Sequence, residues 1–219
     1  FPDIKLKVGM EGANDAAAVA LMRRVFGPDK DLRLDANEAW TCGNLEEKLR
    51  PLERYRISSL EQPVRHEEVA GLADVRGRIN TPIMLDESLC SLQDGRRAIE
   101  QGTCDLFNNR LSKCGGFVRS LKLAAMAHEA GLGYQLGCQV GETGILSAAG
   151  RHFASSVSGI RYVEGSYDRH LVLERLTVED LTFKSGGRAP ALRGAGLGVT
   201  IDSDAVSRVT LREISRPLR

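Results

Sequence analysis

Apolar residues recur along the chain in two alternating rhythms. Short runs at 4–8, 32–35, 57–61, 82–86, 106–111, 133–136 and 160–163 are apolar with period-two alternation or continuous burial, the signature of strands. Longer segments between them place apolar residues three and four apart, as amphipathic helices do. The spacing predicts a helix over 15–26, with Val19, Met22 and Phe26 on one stripe and Gly27-Pro28 as its stop. Another opens at Asn44, where Glu47 three residues on suggests a capping box. Further helices are expected over 91–101, 118–129 and 145–156, closed where glycines such as Gly102 and Gly131 follow.

Strand–helix alternation implies parallel strands joined by helical crossovers. The unit recurs about every 25–30 residues, close to the roughly 250 residues per eight units of a TIM barrel. A doubly wound open sheet is the rival, but no strand is followed by G-x-G-x-x-G, and no P-loop is present. The chain changes character at Lys184, where Gly186-Gly187, Pro190 and a glycine cluster at 194–198 precede an apolar 199–201. We therefore expect a barrel over 1–183 and a loop-rich excursion over 184–219 that serves another domain or a lid.

The strand ends carry the chemistry. Asp35 closes the second strand, Glu61 the third and Asp86 the fourth, each one strand–helix unit after the last. A parallel barrel delivers these ends to one face, where such sites lie. Converged carboxylates repel unless a cation neutralises them. An all-oxygen set suits a hard dication, Mg²⁺ first and Mn²⁺ second. A single acid at a strand end is most often a helix cap, but three in register reverse those odds. Lys5 and Lys7 alternate on the first strand and so share a side, and Lys113 is expected at the end of the fifth. Lysines on two sides of a metal could address the two faces of a bound substrate, one of them as base, where desolvation and nearby positive charge favour it.

Composition narrows the partners. The chain of 219 residues has 30 Lys+Arg against 29 Asp+Glu, a formal charge of +1, which argues against a nucleic-acid footprint. No apolar run approaches the roughly 20 residues that span a bilayer. The five cysteines (Cys42, Cys90, Cys104, Cys114, Cys138) and four histidines form no C-x-x-C or H-E-x-x-H spacing, and read as thiols of a cytoplasmic protein and ordinary imidazoles. Cys138 lacks a paired histidine and is not read as a nucleophile.

The motifs Lys5-Leu6-Lys7, Asp35-Ala36-Asn37, Glu61-Gln62-Pro63, Asp86-Glu87-Ser88 and Ser112-Lys113-Cys114-Gly115-Gly116, in this order, resemble the enolase superfamily and within it the muconate-lactonizing-enzyme subgroup, the mandelate racemase/muconate lactonizing enzyme barrel. The resemblance implies a (β/α)₇β barrel with Mg²⁺ on Asp35, Glu61 and Asp86. It implies abstraction of a proton beside a substrate carboxylate, Lys5 stabilising the enolate-like intermediate and Lys7 with Lys113 forming the acid/base pair. Asn37 and Asn108 would belong to the polar network, and Glu142 and Glu164 compete for a substrate-binding role. The strand-six segment from Leu136 to Thr143 has no histidine, which favours the two-lysine subgroup over a mandelate-racemase type.

By the family's count, Lys5-Leu6-Lys7 lies on the second barrel strand. The first strand and the N-terminal α+β capping domain are thus expected outside these residues, which begin at Phe1. The reaction expected is that of a cycloisomerase, racemase or epimerase on a small carboxylate. The alternatives are a lyase of the o-succinylbenzoate synthase kind and a non-catalytic barrel fragment. Neither nucleic acid nor membrane is expected as a partner, and the full-length protein is expected to be a homo-oligomer.

Overall fold

A computed structural model describes residues 1–166 and 168–215. Seven strands, β1 (Asp3–Lys7), β2 (Asp31–Asp35), β3 (Ile57–Glu61), β4 (Ile83–Leu85), β5 (Leu106–Asn109), β6 (Gly133–Leu136) and β7 (Ile160–Val163), form one sheet in chain order, each neighbouring pair parallel. This sequential order is that of a barrel and excludes the doubly wound alternative, whose order reverses. Helices α1 (Asp15–Phe26), α2 (Leu45–Glu53), α3 (Leu72–Arg76), α4 (Leu92–Gln101), α5 (Leu111–Cys114), α6 (Phe117–Glu129) and α7 (Gly144–Ser156) lie in the connections, followed by α8 (Asp168–Leu171) and α9 (Ser203–Val209). Among the described residues no helix is long and apolar enough to cross a membrane.

The period of two along each strand separates two environments. Leu32, Leu34, Leu60, Ile83, Leu85, Phe107 and Leu136 join Val19, Leu49, Leu123 and Phe153 of the helices in one buried apolar layer. The opposite faces of the strands meet each other across the inside of the curled sheet. Arg33 of β2 donates to Gln135 of β6 at 2.7 Å and to Glu164, just past β7, at 3.1 Å, and its guanidinium lies 4.1 Å from the Tyr162 ring centre. Tyr162 of β7 donates to Asp31 of β2 at 3.0 Å. Among the described residues, the apolar cluster on this inner side is Met84, Leu106 and Tyr162. The inside is therefore closed largely by polar cross-links.

Several local expectations need correction. β5 stops at Asn109 and does not reach Leu111. Arg110 remains extended, Leu111–Cys114 forms one helical turn, and Gly115 (φ 86) ends it with its N–H donated to Leu111 O. Lys113 therefore sits on α5 and does not end a strand. Asn44 makes no side-chain cap; its Oδ1 instead accepts from Thr41 N at 2.9 Å. Phe26 is 46% exposed, so the α1 stripe ends at Met22. The β3–β4 connection, unassigned from the sequence, holds a 3₁₀ turn (His66–Gly71) and α3. The apolar 199–201 makes no strand, only a bridge from Ile201 to Thr177. Of the expected excursion over 184–219, residues 216–219 lie outside the described residues.

Arg33 is 4% exposed and joins β2 to the far side of the sheet. Replacing it by Met strands polar partners inside the fold, so Arg33→Met is expected to cost about 3 kcal/mol. A urea titration measures this as a lower midpoint with an unchanged slope.

Candidate active site

The parallel register fixes the site. Lys7 pairs with Asp35 and Asp35 with Glu61 across the ladders, and Glu61 pairs with Met84, two residues before Asp86. All three acids leave the C-terminal ends of adjacent strands and point inward by the same alternation that turns Leu34 and Leu60 outward. Their exposures are 0% for Asp35, 1% for Glu61 and 0% for Asp86. Buried charge at this density has to be met by other charge.

Two groups of cations meet it. On the β1 side, Lys5 Nζ lies 3.3 Å from Asp35, 3.0 Å from Glu61 and 2.9 Å from Glu164. Lys7 Nζ lies 2.7 Å from Asp35 Oδ2 and also donates to Asn37 Oδ1. On the β5 side, Arg110 pairs with Asp86 and reaches Glu61 Oε1 at 3.5 Å, and Lys113 Nζ stands 3.0 Å from Asp86 Oδ1. Asn108 Nδ2 donates to Glu61 Oε1 at 2.9 Å.

The loops hold these groups in place. Asn37 has φ 40, a left-handed conformation that asparagine tolerates better than most residues. This turns its N–H onto Asp35 Oδ1 at 3.0 Å and its side chain onto Glu87 at 2.9 Å. Gln62, fully buried, accepts from Asp86 N at 2.8 Å and from Ser88 Oγ at 2.9 Å, tying the end of β3 to the end of β4. Gly137 leaves the room Asn108 needs, since a Cβ there would come within 2.0 Å of Asn108 Oδ1.

The electrostatics are uneven. Burial pushes the Glu61 carboxyl up to about 8; Lys5 pulls it down, while Asp35, Glu164 and Asp86 add to the rise. Burial also raises Asp35, but Lys5 and the hydrogen bond from Lys7 outweigh it and hold the carboxyl below its ordinary value. Burial works against the charge of Lys5, yet Glu61, Glu164 and Asp35 together keep the ammonium above its usual range. A thiol nucleophile finds no support: burial, then Glu164 and Glu142, push Cys138 up to about 12.

The structure thus brings Lys5, Lys7, Asp35, Asn37, Glu61, Asp86, Asn108, Lys113 and Glu164 together. Glu142 lines the same cavity as Glu164; its Oε1 accepts from Gln139 N at 2.7 Å, and burial raises its carboxyl while that hydrogen bond and the Arg110 charge pull it down. Sequence reasoning missed Arg110, Arg33 and the structural role of Gln62. Arg110 follows β5 as Asp86 follows β4, so reading strand ends for either sign of charge would have found it. Among the described residues no three acidic, histidine or cysteine side chains are drawn tightly enough together to cage an ion. Lys5 bridges Asp35 to Glu61, and Arg110 bridges Glu61 to Asp86. The donor chemistry nonetheless fits a hard dication: three buried carboxylates, one of them raised chiefly by its burial and further by its acidic neighbours.

Comparison with known proteins follows the same lines. A family model described as enolase C-terminal domain-like matches residues 1–205. A hydrophobic dipeptide epimerase of Enterococcus faecalis is 38% identical over 160 residues, 73% of this chain and 45% of its own. The crystal structure of an N-succinyl Arg/Lys racemase from Bacillus cereus superposes with a TM-score of 0.88 at 30% identity, covering 97% of this chain and 56% of that one. A dipeptide epimerase from Cytophaga hutchinsonii, crystallised with Mg and the dipeptide D-Ala-L-Val, gives 0.87 at 30% identity, covering 95% and 56%. The chain spans about half the length of the curated relatives it matches.

Two outcomes are expected. Because Glu61 holds its proton more tightly folded than unfolded, the folded state binds more protons between about pH 5 and about pH 8, and stability falls as pH rises through that window. Melts of the metal-free protein should show that fall, and Glu61→Gln should flatten it. Gly137→Ala should push Asn108 off Glu61 and lower the urea midpoint of the metal-free protein, read against an unchanged far-ultraviolet circular dichroism spectrum.

Proposed function

The chain belongs to the enolase superfamily, in its enolase C-terminal domain-like family, and on that footing we propose that it carries the machinery for abstracting the proton α to a substrate carboxylate. The substrate class we propose is an N-acylated amino acid or dipeptide, and the reaction class is that of the isomerases. The names of the relatives, dipeptide epimerases and N-succinylamino acid racemases, support both choices. The observation that carries the reading is the pairing of the β1 lysines with three buried carboxylates from β2, β3 and β4.

Asp35, Glu61 and Asp86 would hold Mg²⁺, with Mn²⁺ as the substitute. The ion supplies Lewis-acid polarisation of the substrate carboxylate and lowers the cost of the negative charge that forms there. Lys7 is 53% exposed at the mouth of the site, within reach of a substrate, and is the group that takes the α proton. Lys5, 18% exposed and kept charged by its three acids, stays fixed and stabilises the enolate oxygens. Glu164 and Arg33 hold Lys5 from below, and Asn37 steadies Lys7. The opposite wall carries Arg110 and Lys113 together with Asn108. The same reading assigns 1–183 to the chemistry and 184–219 to contact with another domain, for which the exposed Val209, Leu211 and Ile214 offer apolar surface.

The test is deuterium uptake at the α-carbon. L-Ala-L-Glu and N-succinyl-lysine of both hands are incubated in D₂O with the intact protein and Mg²⁺ and followed by proton NMR. Uptake should require the metal, and Lys7→Ala should slow it by about 10²–10⁴-fold. Uptake that is unchanged in Lys7→Ala, or indifferent to chelation, would sink the reading.

A further inference from the structure

We infer that Arg110, rather than Lys113, is the group that meets substrate from the β5 side, and that Lys113 is a positioning residue that locks the turn after β5 onto Asp86. The inference rests on the proton abstraction proposed above and narrows it to one face of the substrate. It departs from the sequence resemblance, which put Lys113 in the acid/base pair.

Glu61 separates the two sides. Its Oε2 takes Lys5 from β1, while its Oε1 takes Asn108 and Arg110 from β5. On the β5 side the first charged residue beyond the strand is Arg110, and its guanidinium spans Glu61 and Asp86 along the line of carboxylates. Lys113 comes one helical turn later, on α5, and is 9% exposed. Two of its three N–H donors go to main-chain carbonyls, Asp86 O and Asn108 O, the latter at 3.2 Å. Its charge lies 3.0 Å from Asp86 Oδ1. Swinging Lys113 toward a substrate would break all three contacts and free the ends of β4 and β5. These contacts describe a clamp.

The consequence is chemical. A guanidinium has five donors, no acceptor, and keeps its proton in proteins. It can bind a carboxylate through two parallel hydrogen bonds, but it cannot take a proton from carbon. Abstraction then happens on the Lys7 face alone. The C–H bond breaks, its electron pair remains in the enolate, and the proton forms a new N–H bond on the Lys7 Nζ lone pair. The ammonium exchanges with solvent and returns a deuteron to the same face. One enantiomer exchanges without inversion, and the mirror form, whose proton faces Arg110, does not exchange; the chain then performs the abstraction step shared by the isomerases, and inversion at the α-carbon awaits a proton donor in place of Arg110.

Two readouts test this. In the exchange experiment wild type should label one hand of N-succinyl-lysine at least tenfold faster than the other. Arg110→Lys should open the second hand, and Lys113→Gln, which loosens Asp86, should slow the preferred hand without opening the second. Equal labelling of both hands by wild type, or a Lys113→Gln variant that changes the ratio between the hands, would overturn the inference. The second readout is independent of turnover. Reductive methylation of the metal-free protein should modify Lys7 readily and leave Lys113 protected, and equal reactivity of the two would overturn the clamp. If neither hand exchanges at all, the proposed abstraction fails, and the methylation pattern still decides where Lys113 stands.

Discussion

Everything in this site follows from the burial of three carboxylates at the ends of adjacent parallel strands. Asp35, Glu61 and Asp86 are each at most 1% exposed and are set beside one another by ladder register. Water cannot screen them, so the protein surrounds them with cations held at hydrogen-bond distance. Lys5, Lys7, Arg110 and Lys113 are there for that electrostatic reason, whatever further work each does. The burial cost shows most on Glu61, which is touched by cations from both sides and still holds its proton more tightly than an ordinary carboxyl.

The same constraint explains the polar inside of the sheet. A TIM barrel interior is ordinarily filled by layers of Val, Ile and Leu. Here the layer beneath the acids contains Arg33, Gln135 and Tyr162, with Asp31 and Ser58 below. Arg33 reaches up to Glu164, which in turn fixes Lys5. The supporting residues are thus continuous with the reacting ones, and Lys5 is held through Glu164, just past β7, by a guanidinium that reaches it from β2.

The sequence makes the strands legible because each is short, apolar and bounded by turn residues; Ile57–Glu61, Gly133–Leu136 and Ile160–Val163 lie where the pattern puts them. Asp35, Glu61 and Asp86 are legible because strand ends converge by topology alone. Lys113 is misplaced because Leu111 continues the apolar run of β5, and only the paired glycines at 115 and 116 reveal that the chain has already turned. Arg33 is invisible to local pattern: its partners Gln135 and Glu164 are 102 and 131 residues away. An arginine on a strand otherwise reads as solvated. Glu142 and Glu164 could not be ranked from sequence, because the choice depends on which of the two reaches Lys5 across the sheet.

Gly137 links two positions that are distant in sequence. It lies on β6's C-terminal side with no room for a methyl group, because Asn108 of β5 fills that space on its way to Glu61. The two sites therefore cannot drift independently. A chain that first acquires a side chain at 137 loses its grip on Glu61, whereas one that first shortens Asn108 opens a void into which a larger residue can grow. The order of mutation matters: position 137 can gain a side chain only after Asn108 has shortened, so the asparagine holds the glycine in place.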